Sequence, residues 1–177
     1  CFRQHFDYSD NMPNTAQMDA IADYIANDSG IDEVLLSGGD PLSLSDAKFS
    51  KLIDKLSTIL HLKTIRIHTR LPVVLPSRVT DALCHTLKNS AKNVVMVLHI
   101  NHPHEIDSTL AKQCAKLRAA GVTLLNQSVL LAGINDDADT LAKLSHELFA
   151  MQVLPYYLHV LDKVAGAAHF DVPVAQA

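Results

Sequence analysis

Apolar residues along the chain follow two alternating rhythms. Short runs rich in β-branched residues or leucine fall at 33–37, 64–68, 93–100, 123–130 and 154–160, and their starts lie 31, 29, 30 and 31 residues apart. Runs of this length predict strands. Between them, apolar residues at three- and four-residue spacing predict helices. Thr15–Asn27 carries Met18, Ile21, Ala22 and Ile25 on one stripe, and 45–60 opens at Ser45 with an apolar face of Phe49, Leu52, Ile53 and Leu56. Further helices are predicted at 78–87, 107–119 and 136–151. Asp107 or Ser108, and the run Asn135-Asp136-Asp137, supply the side-chain oxygens that helix starts need. Gly121, after Ala119-Ala120, suits a helix stop.

A strand–helix unit repeated about every 30 residues implies parallel strands joined by right-handed crossovers. An open doubly wound sheet and an arc of a (β/α) barrel both satisfy that pattern. No GxGxxG follows any strand, which counts against a dinucleotide-binding sheet and favours the barrel arc. The leading helix at Thr15–Asn27 implies a further strand before it. No linker divides the chain, so residues 1–177 read as one α/β domain. Cys1 is neither an initiator Met nor part of a signal peptide, so the chain reads as a piece of a longer protein.

Parallel β/α folds gather their chemistry at the carboxyl ends of the strands. Polar residues collect there: Ser37-Gly38-Gly39-Asp40-Pro41, His68-Thr69-Arg70, His99-Ile100-Asn101-His102, Asn126-Gln127-Ser128, and Tyr157-Leu158-His159 with Asp162 just beyond. A single polar residue in such a strand is most simply a satisfied core group, but the same pattern at five strand ends points to a site. The chain has only 6 glycines, and two adjoin at Gly38-Gly39, where backbone groups can approach a ligand closely. His99, His102 and His104 lack zinc-ligand spacing and read as polar loop residues. Cys84 and Cys114 lie among apolar helical neighbours and read as buried inert thiols. A Schiff-base barrel enzyme would need a buried strand lysine, whereas Lys63, Lys92 and Lys163 fall at strand edges or in loops. Hydrolase elbows, P-loops and HExxH pairs are all missing.

Composition narrows the classes further. Hydrophobic residues make up 48% and charged residues 19%, as in ordinary globular proteins. The longest apolar runs are strand-sized, far short of the roughly 20 residues a membrane helix requires. The net charge of −4 and the lack of a basic tract argue against direct nucleic-acid binding. Three widely spaced cysteines make no disulfide framework and suit a reducing, cytoplasmic setting.

Several motifs in order carry a resemblance. Cys1-Phe2-Arg3, Leu36-Ser37-Gly38-Gly39-Asp40-Pro41, Ile65-Arg66-Ile67-His68-Thr69-Arg70-Leu71-Pro72, His99-Ile100-Asn101-His102-Pro103, Asn126-Gln127-Ser128-Val129-Leu130-Leu131, Pro155-Tyr156-Tyr157 and the closing Leu161-Asp162-Lys163-Val164 … Gly166-Ala167-Ala168-His169-Phe170 together resemble the radical S-adenosylmethionine (SAM) enzymes of the lysine 2,3-aminomutase branch. The likeness spans essentially the whole chain. It is nearest to bacterial members that make β-lysine for modifying translation elongation factor P.

The resemblance implies a partial (β/α)6 TIM-like barrel of the radical SAM type, truncated at both ends. It implies three cofactors: a [4Fe-4S] cluster, SAM and pyridoxal 5′-phosphate (PLP). Cys1 matches the last thiolate of a CxxxCxxC cluster motif. Ser37, Gly38, Gly39 and Asp40 match the loop that receives the amino end of SAM, and His99 and Gln127 match positions contacting SAM. Arg3 matches an arginine on the substrate carboxylate, and Asp162 an aspartate on the distal amino group of L-lysine. No catalytic residue of the chain itself is assigned. The PLP lysine, the PLP-phosphate arginines and two cluster cysteines are expected outside the chain, so the isolated piece is expected to be inactive. The implied reaction shifts the 2-amino group of L-lysine to carbon 3 by radical chemistry, with electrons from a reductant such as flavodoxin or ferredoxin. Assembly into a homo-oligomer is compatible with it.

Overall fold

The computed structural model describes residues 15–177. Its five strands are β1 (Glu33–Leu36), β2 (Thr64–Thr69), β3 (Asn93–His99), β4 (Thr123–Val129) and β5 (Leu154–His159). They form one sheet in the order β1-β2-β3-β4-β5, with every neighbouring pair parallel. This order decides between the two architectures left open by the sequence. A doubly wound sheet reverses direction at a switch point, whereas strands added always to the same edge by right-handed crossovers put every helix on one face. The sheet is therefore an arc of a (β/α) barrel, and β1 and β5 are its two edges among the described residues.

The helices sit where the periodicity puts them, with ends set by side-chain caps. Helix α1 spans Thr15–Asn27. Ser45 caps α2 (Asp46–Ser57) by accepting from Lys48 N, Asp107 caps α5 (Ser108–Ala119) through Leu110 N, and Asp137 caps α6 (Ala138–Ala150) through Thr140 N. Each satisfies a donor that the first helical turn leaves unpaired. Gly121 closes α5 at φ +85°, a backbone that favours glycine. The helix expected at 78–87 starts three residues later, at Asp81. A single turn α3 (Leu71–Val74) is followed by a 3₁₀ turn at Pro76–Arg78, and α4 (Asp81–Lys88) begins only after Thr80, whose Oγ1 accepts from Leu83 N. Pro72 and Pro76 start short turns because the first helical turn needs no N–H from them. On α1, Ile21 is 48% exposed, so the buried stripe there is narrower than the sequence suggests.

Alternation along the strands separates two faces. Ile65, Ile67, Met96, Leu98 and Ile100 are fully buried against Phe49, Ile53, Leu83, Leu110, Cys114 and Leu117 of the helices. Burying a side chain of this size contributes about 1.5–3 kcal/mol, and this outer layer is the bulk of the core. The opposite, inner face carries Arg66, His68, Val95, Val97, His99, Leu125 and Gln127, in agreement with the parallel register.

Two residues of the Asn126-Gln127-Ser128 triplet belong to the outer layer. Asn126 is 1% exposed; it accepts from Ile100 N at 2.9 Å and donates to Ile100 O at 3.0 Å and Ser128 Oγ at 3.0 Å. Ser128 Oγ donates to Ile100 O at 2.7 Å. These bonds fasten the end of β3 to β4. Asn126→Ala leaves the buried Ile100 N–H unpaired and should cost about 2–3 kcal/mol, read as a lowered denaturation midpoint; an unchanged midpoint would show that the network is dispensable.

Candidate functional site

The inner face at the carboxyl ends of the strands brings two of the expected site residues together. His99 and Gln127 are direct partners across β3 and β4, and His68 on β2 stands opposite Val97 on β3. His68 Nδ1 lies 3.0 Å from Gln127 Oε1, and the His68 and His99 rings meet edge-to-face with centroids 6.0 Å apart. His68 Nε2 is buried without a hydrogen-bond partner. Burial holds the His68 imidazole below its usual pKa, against the opposing effect of its bond to Gln127, so the neutral ring is favoured.

Below this layer lies a polar cluster that sequence reasoning did not assign. Arg66 Nε donates to Glu33 Oε1 at 2.9 Å, and Arg66 Nη1 donates to the Tyr156 hydroxyl at 3.1 Å while the guanidinium stands 5.5 Å over the Tyr156 ring. Tyr157 OH donates to Tyr156 OH at 3.2 Å, and the Tyr157 ring tilts against His159. Donation from Tyr157 and Arg66 lowers the Tyr156 pKa. Period-two alternation from His68 to Arg66, and from Gln127 across to β5, was the signal that could have found this cluster; the irregular pairing beside Asn126 and Gln127 obscures it on β5.

The glycine loop is exposed at Ser37, Gly38 and Gly39. Gly38 has φ +100°, and a Cβ built there meets nothing within 4 Å, so the backbone borders open space. Asp40, expected to receive a ligand ammonium, is engaged by protein donors. Its Oδ1 accepts from Leu42 N at 3.1 Å and Thr69 Oγ1 at 2.6 Å, and its Oδ2 from Arg70 N at 2.8 Å and Leu71 N at 3.3 Å. A carboxylate offers about four acceptor positions, and these donors use them. Asp40 therefore ties the loop after β1 to the end of β2. Arg78 braces the same loop from behind, donating to Leu42 O at 2.6 Å, Leu44 O at 2.9 Å and Asp46 Oδ1 at 2.6 Å.

The ties continue along the rim. Arg70 donates to His99 O at 3.1 Å and to Glu105 Oε2 at 2.6 Å, and Glu105 Oε1 accepts from Asn101 N at 2.7 Å and His102 N at 3.1 Å. Asn101 Oδ1 accepts from Val129 N at 2.9 Å, and buried Asn135 donates to Asn101 O at 2.7 Å and Val129 O at 3.0 Å. His102 Nδ1 accepts from His104 N, so these two histidines shape a turn.

Other expected positions lie apart. Cys1 and Arg3 fall outside the described residues. Asp162 is exposed, three residues past the end of β5. Cys84 and Cys114 are free thiols, and burial pushes the Cys114 thiol up to about 11, which suits an inert core residue. Lys63 Nζ donates to Asp32 and Lys92 Nζ to Ile59 O, so neither faces the inner wall that a Schiff-base enzyme would require. No helix among the described residues is long and apolar enough to cross a membrane.

Two outcomes test this geometry. Asp40→Asn turns one acceptor into a donor facing backbone N–H groups, so stability should fall by about 2 kcal/mol with faster proteolysis of the glycine loop; resistance equal to the parent would refute the clamp. His68 titrates lower in the folded state than in the unfolded one, so the unfolded chain binds more protons just below pH 6.5. Stability should therefore decline as the pH falls through that region, and His68→Asn should flatten the slope in acid denaturation profiles.

No protein-family model matches the chain. Curated proteins do. The chain is 55% identical over 177 residues to a protein of Haemophilus influenzae named L-lysine 2,3-aminomutase, matching 100% of the chain and 52% of that relative. A protein of the same name from Escherichia coli K12 is 51% identical over 172 residues, 97% of the chain and 50% of the relative. One from Clostridium subterminale is 41% identical over 178 residues, 99% of the chain and 42% of the relative. The chain thus spans about half the length of the curated relatives it matches best among these. Along its whole length the chain is similar to proteins named L-lysine 2,3-aminomutase.

Proposed function

We propose that this chain is the central barrel portion of an aminomutase that converts L-lysine to β-lysine, with a [4Fe-4S] cluster, SAM and PLP as cofactors. The observation that carries the reading is the placement of His99 and Gln127 side by side on the inner wall, at the same carboxyl ends of the strands as an open glycine loop, in a chain similar along its whole length to proteins of that name. When bound, the cluster and SAM would supply a hydrogen-abstracting radical, and PLP would carry the migrating nitrogen.

The chain's own residues have distinct tasks in this reading. Cys1 is the thiolate contributed here to the cluster, as iron–sulfur iron requires. Ser37, Gly38 and Gly39 offer backbone oxygens to the ammonium of SAM, while Asp40 holds that loop through its four protein donors. His99 and Gln127 line the wall against which SAM lies. Arg3 pairs with the substrate carboxylate and Asp162 with its distal ammonium, two charges that set the length of the amino acid accepted. The packed inner face, with Val97 and Leu125 buried between the polar groups, limits water near reactive intermediates. Supply of β-lysine for elongation factor P, a cytoplasmic setting, and a flavodoxin- or ferredoxin-type reductant complete the proposal.

The test is anaerobic reconstitution of the whole protein with iron and sulfide. It should turn brown, cleave SAM under reduction to 5′-deoxyadenosine, and form β-lysine from L-lysine; a colourless protein would sink the proposal. Cys1→Ala should abolish the visible absorption. Asp162→Ala should raise KM for lysine at least about tenfold while SAM cleavage persists, and unchanged lysine kinetics would remove Asp162 from the site.

A further inference from the structure

Of the residues on the inner wall, His68 has no role in the proposed function, yet its Nδ1 is hydrogen-bonded to Gln127 Oε1 at 3.0 Å. We infer that His68 is a positioning residue for Gln127: its Nδ1–H fixes the amide so that Oε1 faces β2 and both hydrogens of Nε2 are left for an acceptor on the bound ligand. The role rests on the proposed function only for the identity of that ligand, SAM.

Three features support it. An amide that accepts from an imidazole N–H must turn its NH2 the other way, so the histidine tautomer decides whether Gln127 shows a ligand donors or an acceptor. The ring is neutral by preference, since burial disfavours its charged form; Arg66, Glu33, His99 and His159 are the titratable or charged groups that face it. A neutral ring with its proton on Nδ1 leaves Nε2 as a bare acceptor, and Nε2 is the buried atom that has no partner. An unpaired ring acceptor in that position fits the Nδ1–H tautomer without a stranded N–H. The two side chains also come from β2 and β4, with His99 on β3 between them, so the bond spans the strand that carries the other expected SAM contact.

A double-mutant cycle in the reconstituted whole protein tests the inference, with SAM affinity as the readout. His68→Phe keeps a ring of similar size but removes the donor, and should weaken SAM binding about tenfold. His68→Asn places an amide N–H near the position of Nδ1 and should recover affinity to within about threefold of the parent. In a Gln127→Leu background, His68→Phe should have no further effect, because the side chain it positions is gone. Parent protein that fails to bind SAM would refute the proposed function. Parent protein that binds SAM, with His68→Phe equal to it, His68→Asn as weak as His68→Phe, or additive losses in the cycle, would overturn the role of His68 and leave the proposed function standing.

Discussion

Everything functional on this sheet depends on keeping five strand ends level, and the ladder hydrogen bonds alone cannot do that. Beyond the last ladder bond each strand runs into a loop whose backbone groups still need partners. Here the partners are side chains of the neighbouring unit. Asp40 gathers the start of the loop after β2, Arg70 reaches the end of β3 and Glu105, Asn101 receives Val129 N, and Asn135 closes on both Asn101 and Val129. The belt runs from β1 to β4 without a break. Each bond contributes only about 0.5–3 kcal/mol, but the bonds act in series, so a slip at one strand end would be felt at the next.

The belt also explains why polar residues at the strand ends divide into two kinds. Side chains pointing to the helix face, such as Thr69 and Asn126, are buried and spent on neighbouring protein groups. Those pointing inward, such as His68, His99 and Gln127, remain half-buried at the wall. The strand period of two makes the separation automatic: within His68-Thr69 and Asn126-Gln127-Ser128, neighbours face opposite ways. Rigid support and chemical display are thus interleaved residue by residue. Arg78 adds the same support one layer out, clasping the loop that carries the glycines.

The lower inner wall has a different character. Glu33, Arg66, Tyr156 and Tyr157 form a connected polar group between the first and last strands of the arc. Side chains 90 residues apart in sequence meet there because the arc curves back on itself. That curvature is what distinguishes a barrel wall from a flat sheet, and the Arg66–Tyr156 bond is its direct expression in side chains.

Strand and helix positions, the caps at Ser45, Asp107 and Asp137, and the crowding of polar types at strand ends were all legible in the sequence, because each depends on local spacing and local hydrogen-bond chemistry. The single turn at Leu71–Val74 and the late start of the next helix at Asp81 were not, since Arg78 is held by carbonyls of a preceding unit rather than by its own helix. Strand order was likewise undecided, as identical βα repeats can wind either way and only the pairing of β1 through β5 selects the arc. That Asp40, expected from the motif to meet a ligand, is a loop tie by geometry emerged only in three dimensions. A side chain's partners across strands are set by register and curvature, and neither is written in the spacing along one chain.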